Sequence, residues 1–128
     1  MDTLTTIAVL CGSALGGAAR YALSEWIAGR LLERFPWGIL CVNVSGAGAI
    51  GLWVGAAGEA GAIEYLFVLG FLGSYTTVST FALQALFLAR ETRWPAAVGY
   101  VAISIAGCVA AAFGGYLLGA ITWGSGLG

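Results

Sequence analysis

The sequence predicts an all-α membrane protein with four transmembrane helices, the third of which is broken near the middle of the bilayer. Of its 128 residues, 60% are hydrophobic and only 9% are charged, far from the balance of a soluble domain. The apolar residues gather into four runs, each near the roughly 20 residues that a spanning helix needs. The third run contains "GFLGSYTTVSTF", with two glycines and six hydroxyl side chains between Gly70 and Phe81.

The four runs are separated by short charged or Pro/Gly-containing joints, which are too short to form domains. The chain is therefore predicted to be a single four-span unit over residues 1–128. The first run lacks the basic start and the cleavage pattern of a signal peptide, so we expect it to be retained. Pro36 and Pro95 mark helix starts, where a missing N–H costs least. The predicted spans are Leu4 to Ala28, Trp37 to Ala57, Ile63 to Leu88 and Pro95 to Ile121.

Glycines at four-residue spacing occur inside three of the spans. Such spacing lets helices approach closely because no side chain separates their backbones. The sequence therefore predicts tight helix packing at three pairs: Gly12 with Gly16, Gly51 with Gly55, and Gly115 with Gly119.

The hydroxyl-rich part of the third run predicts a break in its helix. Gly73 costs up to about 1 kcal/mol relative to Ala in a helix interior, and the β-branched Thr76 and Thr77 are poor helix formers. Backbone groups freed in a membrane must be buried in protein or face a polar cavity. Free carbonyls suit a hard monovalent cation, and free amides and hydroxyls suit an anion. A glycine kink between packed helices is the alternative, but it leaves the hydroxyl density unexplained.

Polar residues inside the other spans are further candidates, because a polar group at bilayer depth is costly. Arg20 in the first span is expected to have a structural role, through snorkelling or pairing with helix-end carbonyls. Asn43 in the second span offers both donors and an acceptor. In the fourth span, Tyr100, Ser104 and Cys108 recur at four-residue spacing and share one helix face, which predicts a lined path.

Several function classes are disfavoured by composition. The net charge is −1 and the chain has no lysine and no basic cluster, so nothing indicates nucleic-acid binding. The chain has no histidine, and its three cysteines lie in separate apolar stretches, where we expect them to be buried. No acid, base and nucleophile set is placed as an enzyme would need, so we do not expect an enzyme.

Arginines are distributed unequally among the joints. Four of them lie in the first and third joints, and neither the second joint nor either terminus carries Lys or Arg. By the positive-inside rule the first and third joints are predicted to be cytoplasmic and both termini outside. These arginines are Arg30, Arg34, Arg90 and Arg93.

Three segments together resemble the Fluc (CrcB-like) fluoride channels. These are "GGAARY", "PWGILCVNVSG" and "GFLGSYTTVSTF", in the order and spacing of that family over essentially the whole chain. The resemblance implies an antiparallel (inverted) dimer of four-span subunits in a prokaryotic plasma (inner) membrane. It implies a passive channel that exports cytoplasmic fluoride and so relieves toxicity. It also implies two anion pores and one structural Na⁺, not transported, held by the backbone carbonyls of Gly73 and Thr76.

The resemblance also implies the lining of the pore. The family uses an asparagine, two phenylalanines and a track of hydroxyls. The first phenylalanine position is occupied here by Val78, which presents no ring edge and is expected to weaken conduction. The other matching positions are Asn43, Phe81, Thr77, Ser79, Thr80 and Ser104.

Further departures leave alternatives open. Gln84 stands where a glutamate is common in the family, and Cys108 where a serine is common. The arginine bias favours one orientation, whereas an inverted homodimer needs both. Two arrangements therefore stay open. The chain is expected either to pair with itself or to pair with an oppositely inserted relative. In the second arrangement it is a non-conducting or half-active subunit of a heterodimer. A small multidrug exporter is less favoured, because its first span needs a carboxylate where this chain has Arg20.

Overall fold

The computed structural model describes residues 2–30, 35–56, 61–91 and 93–123. Within them the chain is all helical, with four units long and apolar enough to cross a membrane. The four-helix prediction is confirmed. Arg34 and Ala57, which the sequence assigned to the first joint and to the end of the second span, lie outside the described residues. The helices are α1 (Thr3–Arg30), α2 (Trp37–Gly55), α3 (62–75), α4 (Val78–Arg90) and α5 (Trp94–Thr122), with α3 and α4 forming the third unit.

Polar and aromatic residues define the two ends of α1. Asp2 Oδ1 accepts a hydrogen bond from the Thr5 backbone N–H at 2.8 Å, as expected of a residue that caps a helix N-terminus. This bond and a second one from the Thr5 hydroxyl hold the pKa of the Asp2 carboxyl below its usual range. At the other end, the Arg30 guanidinium lies 4.5 Å from the centre of the Trp26 ring.

Helix α3 changes its winding before it ends. It is α-helical over Ala62–Glu64, π-helical over Tyr65–Leu72 and α-helical again over Gly73–Tyr75. The sequence did not predict the π-helical turns. The wide segment packs against α1, where a Cβ at Gly12 or Gly16 would collide with the carbonyls of Leu66 and Phe71. The predicted tight packing at Gly12 and Gly16 is confirmed.

Helices α2 and α5 form the most extensive pair in the bundle. A Cβ at Gly51 would collide with the carbonyl of Ala112, and one at Gly119 would collide with that of Leu52. The remaining members of the two predicted pairs, Gly55 and Gly115, are in equally close contact with the facing backbone. Both predicted pairs therefore bring backbones together, and the predicted tight packing is confirmed at both.

The third helix is interrupted at Thr76 and Thr77. Both residues are extended, with ψ 153° at Thr76 and φ −149°, ψ 125° at Thr77. Gly73, where the sequence placed the weakness, remains helical at φ −62° and ψ −31°. A glycine costs a helix only about 1 kcal/mol, so it does not end one by itself. The predicted break is confirmed, and it begins after Tyr75.

The buried core is small, as expected of a bundle whose outer surface meets lipid. One buried cluster contains Leu40, Leu88, Ala97 and Tyr100, and the other contains Val42, Leu72 and Tyr75. Many large apolar side chains lie on the outside of the bundle. Cys11 and Cys41 are also on this outer surface, so the prediction that the cysteines are buried is wrong for these two. An apolar run marks a span but does not show which side of its helix faces protein.

Candidate ion pathway at the helix break

A single side-chain amide holds the break. Asn43 Oδ1 accepts a hydrogen bond from the Thr77 backbone N–H at 2.8 Å, and Asn43 Nδ2 donates to the Thr77 carbonyl at 2.9 Å. Both backbone groups of Thr77 are thus satisfied away from water. The approach of α2 depends on Gly46, because a Cβ there would collide with the Thr76 methyl group.

The break leaves several carbonyls without their helical donors, and those of Gly73 and Thr76 are two of them. In a continuous helix the N–H of Thr77 would bond the carbonyl of Gly73, and the N–H of Thr80 would bond that of Thr76. Instead, Thr77 N–H donates to Asn43, and Thr80 N–H donates to the Thr77 hydroxyl at 3.3 Å. No other donor reaches either oxygen within the described residues. Of the carbonyls freed by the break, these two are the ones that the family resemblance implies for Na⁺.

The Thr77 hydroxyl is the centre of a small polar cluster. Besides capping α4, it donates to Thr80 Oγ1 at 3.2 Å and lies 3.3 Å from Ser79 Oγ. Thr77 is buried, whereas Ser79 is exposed. An N-cap hydroxyl satisfies one of the unpaired amides with which a helix begins, so the same residue both starts α4 and links its hydroxyls.

A cavity of about 340 Å³ adjoins the break between α2, α4 and α5. We call it the break cavity. Ser104 lines it and is only 6% exposed, yet its hydroxyl has no hydrogen-bond partner among the described residues. A buried polar group left unpaired costs about 1 to 3 kcal/mol, so this hydroxyl indicates a cavity that takes a polar occupant. The break cavity is lined by Asn43, Ala47, Ile50, Thr76, Thr77, Val78, Phe81, Ser104, Ile105 and Cys108.

A second cavity of about 420 Å³ lies between the end of α1, the start of α2 and the end of α4. We call it the joint cavity, and Glu25, Thr80, Gln84 and Arg93 are among the residues that line it.

A fully buried Tyr100 lies beside both cavities, because it contacts residues of each. It donates to Gln84 Oε1 at 3.0 Å, and its ring centre lies 5.1 Å from that of Phe81. The hydrogen bond from Thr77 to Thr80 also links the two cavities, because Thr77 lines the break cavity and Thr80 lines the joint cavity.

The predicted site residues fall into three groups. Those that share the break cavity are Asn43, Thr76, Thr77, Val78, Phe81 and Ser104. Thr80 lines the joint cavity, and Ser79 is exposed beside Thr77. Gly73 and Arg20 line neither cavity. Gly73 is exposed on the outer surface, and Arg20 is half-buried on α1, three residues beyond Gly17, which packs near Ser74.

Sequence reasoning missed some residues that build the site. The Tyr75 hydroxyl lies 3.0 Å from Ser45 Oγ and ties the end of α3 to α2. Gly46 was not singled out, although its position three residues after Asn43 on the same helix was a usable signal. The bond between Tyr100 and Gln84 was also missed, because nothing in the sequence shows that α4 and α5 meet there.

The chain is similar to known proteins over most of its length. A sequence model described as "CrcB-like protein, Camphor Resistance (CrcB)" matches residues 7–116. The chain belongs to the CrcB-like family. Among CrcB-like relatives, "Fluoride-specific ion channel FluC 2" of Bradyrhizobium diazoefficiens is 48% identical over 88% of this chain and 86% of its own. "Fluoride-specific ion channel FluC 3" of Brucella suis is 40% identical over 96% of both chains. "Fluoride-specific ion channel FluC" of Rhodospirillum rubrum is 38% identical over 83% of this chain and 87% of its own.

Proposed function

We propose that this CrcB-like protein is a passive, fluoride-selective channel that exports cytoplasmic fluoride and so relieves its toxicity. The observation that carries the proposal is the buried hydroxyl of Ser104, which has no partner among the described residues and belongs to a cavity that Asn43 and Thr77 also line. Fluoride is small and strongly hydrated, so it needs close donors in place of water. Among the described residues, no Lys or Arg lines the break cavity, which lets an anion leave as well as enter it. The names of the CrcB-like relatives support the same ion.

The pathway runs along the polar face of α4. Fluoride enters the break cavity, passes the hydroxyls of Thr77 and Thr80, and reaches the joint cavity beside Gln84. Phe81 contributes the edge of its ring, where aromatic rings carry partial positive charge. The hydrogen bond between Thr77 and Thr80 supports this route, because it joins a residue that lines the break cavity to one that lines the joint cavity.

The proposal includes an inverted dimer and a structural Na⁺. Gly73 is exposed on the outside of the monomer and its carbonyl has lost its helical donor. An unpaired backbone carbonyl is costly in contact with lipid, which supports a second chain that covers it. Carbonyls of Gly73 and Thr76 from two chains related by a two-fold axis supply four oxygens, a donor set that suits Na⁺ at a broken helix.

Fluoride efflux from proteoliposomes tests the proposed function. The purified chain is expected to release fluoride and retain chloride. Asn43→Leu removes both bonds to Thr77 and is expected to lower the flux by about a hundredfold or more. Cys41→Ala, two residues earlier on the exposed surface of α2, is the matched control and is expected to retain the flux. Undiminished flux in Asn43→Leu would count against the pathway.

The Na⁺ proposal has a separate test. Protein reconstituted with Na⁺ replaced throughout by a bulky organic cation is expected to lose fluoride flux, and readdition of Na⁺ to restore it. The same flux at every Na⁺ concentration, with the ion shown to be absent from the protein by elemental analysis, would overturn the assignment.

The second candidate is a half-active or non-conducting subunit of a heterodimer. Val78, which stands at the first pore phenylalanine position, is 78% exposed and brings no ring to the cavity that it lines. The four arginines of the first and third joints also favour one orientation. Expressing the chain alone and mapping its termini decides between the two. A mixed orientation with flux supports the homodimer, and a single orientation without flux supports the pair.

A further inference from the structure

Cys108 lies in the wall of the break cavity, one helical turn after Ser104 on α5. It is half-buried and its thiol is free. The neighbouring Ser104 hydroxyl is buried and has no partner within the described part of the chain, which independently points to a polar occupant at the same place. Cys11 and Cys41 differ from Cys108, because both are exposed on the outer surface of membrane-spanning helices and line neither cavity.

We propose that Cys108 is a thiol-modification site, at which a small, water-borne sulfenylating electrophile forms a mixed disulfide and closes the pathway. The site itself follows from the cavity, and the closing effect depends on the proposed channel function. The relevant ligand class is small polar thiosulfonates and disulfides, whose electrophilic sulfur accepts a thiolate.

The reaction balances without another oxidant. The Cys108 thiol gives its proton to water, and the thiolate attacks the sulfenyl sulfur of a methanethiosulfonate. A new S–S bond forms at Cys108 Sγ while the S–S bond of the reagent breaks, and methanesulfinate leaves with the electron pair. A dithiol reverses the change by thiol–disulfide exchange.

Selectivity for Cys108 follows from where each thiol lies. The thiolate is the reactive form of cysteine, and ionisation within hydrocarbon is strongly disfavoured. Cys11 and Cys41 face the lipid side of the bundle, where a charged reagent does not dissolve. Cys108 instead lies in the wall of the break cavity together with Asn43, Thr77 and Ser104, and the proposal requires that water and small ions enter this cavity.

Occupancy of the thiol closes the pathway by volume. The cavity is about 340 Å³, and an adduct on Cys108 extends into it from a position one turn from Ser104. The added group therefore competes with the permeating ion for the space that the Ser104 hydroxyl faces, and an anionic adduct repels that ion as well.

The experiment uses 2-sulfonatoethyl methanethiosulfonate on proteoliposomes, with the reagent loaded on both faces by freeze–thaw. Peptide mass mapping is expected to find the adduct on Cys108 and not on Cys11 or Cys41. Fluoride flux is expected to fall by about tenfold or more, as for a narrow pore partly filled, and dithiothreitol is expected to restore it. The Cys11→Ala/Cys41→Ala double variant should respond to the reagent like the parent. The flux of Cys108→Ser should be the same before and after treatment.

Two results would overturn the proposal. One is labelling of Cys11 or Cys41 with Cys108 left free. The other is complete labelling of Cys108 in a conducting protein whose flux does not change. If the untreated protein releases no fluoride, the proposed channel function fails, and the peptide map still decides whether Cys108 is the modification site.

Discussion

The Asn43 amide replaces a missing turn of helix at the break. Its carbonyl and amino groups meet the N–H and carbonyl of Thr77 at 2.8 and 2.9 Å. By binding that N–H, it also leaves the carbonyl of Gly73 free. One residue therefore both stabilises the interruption and creates the acceptor that the interruption exposes. A primary amide is the one uncharged side-chain group with a donor and an acceptor in this arrangement.

Ser104→Ala is expected to lower fluoride flux while leaving thermal stability in detergent unchanged or slightly higher. Its hydroxyl has no partner among the described residues, so no hydrogen bond is lost and a buried polar group is removed. Melting temperature and proteoliposome flux measure the two effects.

Ser45→Ala serves as the control for Ser104→Ala. Its hydroxyl lies 3.0 Å from the Tyr75 hydroxyl, so its loss is expected to cost about 0.5 to 1.5 kcal/mol of stability. A destabilised Ser104→Ala with normal flux would show that Ser104 is structural.

Thr77→Ala is expected to destabilise the chain by about 1 kcal/mol through loss of the α4 N-cap. Thr77→Ser keeps the capping oxygen and is expected to be nearly neutral. Chemical or thermal unfolding in detergent measures the difference. Equal losses in the two variants would contradict the capping role and indicate that the Thr77 methyl group matters instead.

The Asp2 carboxylate caps the N-terminus of α1, and the stabilisation that it provides depends on pH. The bond from Thr5 lowers the pKa of Asp2 in the folded chain, so folding favours the ionised form. The stabilisation is therefore present above the pKa of the unfolded chain and is lost as pH falls through the lower, folded value. We expect faster exchange of the Thr5 amide hydrogen in acid, and no such pH effect in Asp2→Asn, which keeps a capping oxygen.

Close backbone approach holds α2 against α5. Gly51→Val places a branched side chain against the Ala112 carbonyl and is expected to cost about 1 to 3 kcal/mol or to prevent folding. Gly99→Ala on α5 is the matched control, because a Cβ there meets no atom within 4 Å. It is expected to be neutral or stabilising by up to about 1 kcal/mol. A stable Gly51→Val with an unchanged melting curve would contradict the tight packing.

The third unit shows which features of a helix can be predicted from local sequence patterns. Its glycines and threonines predicted a break, and a break is present at Thr76 and Thr77. The pattern did not predict the π-helical turns over Tyr65–Leu72, which pack against Gly12 and Gly16 of α1. Nor did it fix the first non-helical residue, since that depends on Asn43.

Most of the outer surface of the molecule is suited to contact with lipid, and a small part of it is suited to contact with a second chain. Exposed leucines, valines and aromatic rings cover most of it, as lipid requires. Gly73 differs from these side chains, because it is exposed near the end of α3 and its carbonyl has no donor among the described residues. This is the place where the proposed second chain meets the first.

Gly73→Leu tests that interface without harming the fold of one chain. Gly73 is helical and a Cβ there meets only the Val68 carbonyl at 3.7 Å, so the single chain is expected to tolerate a larger side chain. The dimer fraction, measured by light scattering in detergent with Na⁺, is expected to fall by about tenfold or more. Gly99→Leu is the control and should remain dimeric. Persistence of the Gly73→Leu dimer would contradict the interface.

Sequence alone determined the number of spans, the three tight glycine pairs and the presence of a break in the third span. These depend on hydropathy and on local backbone preference, which are properties of neighbouring residues. Tertiary structure decided that Asn43 bonds Thr77, 34 residues away, that Tyr100 meets Gln84, and that the shared face of Ser104 and Cys108 meets α2 and the break in one cavity. Such contacts depend on how far each helix is rotated and shifted against the next, and side-chain packing across the bundle sets that register.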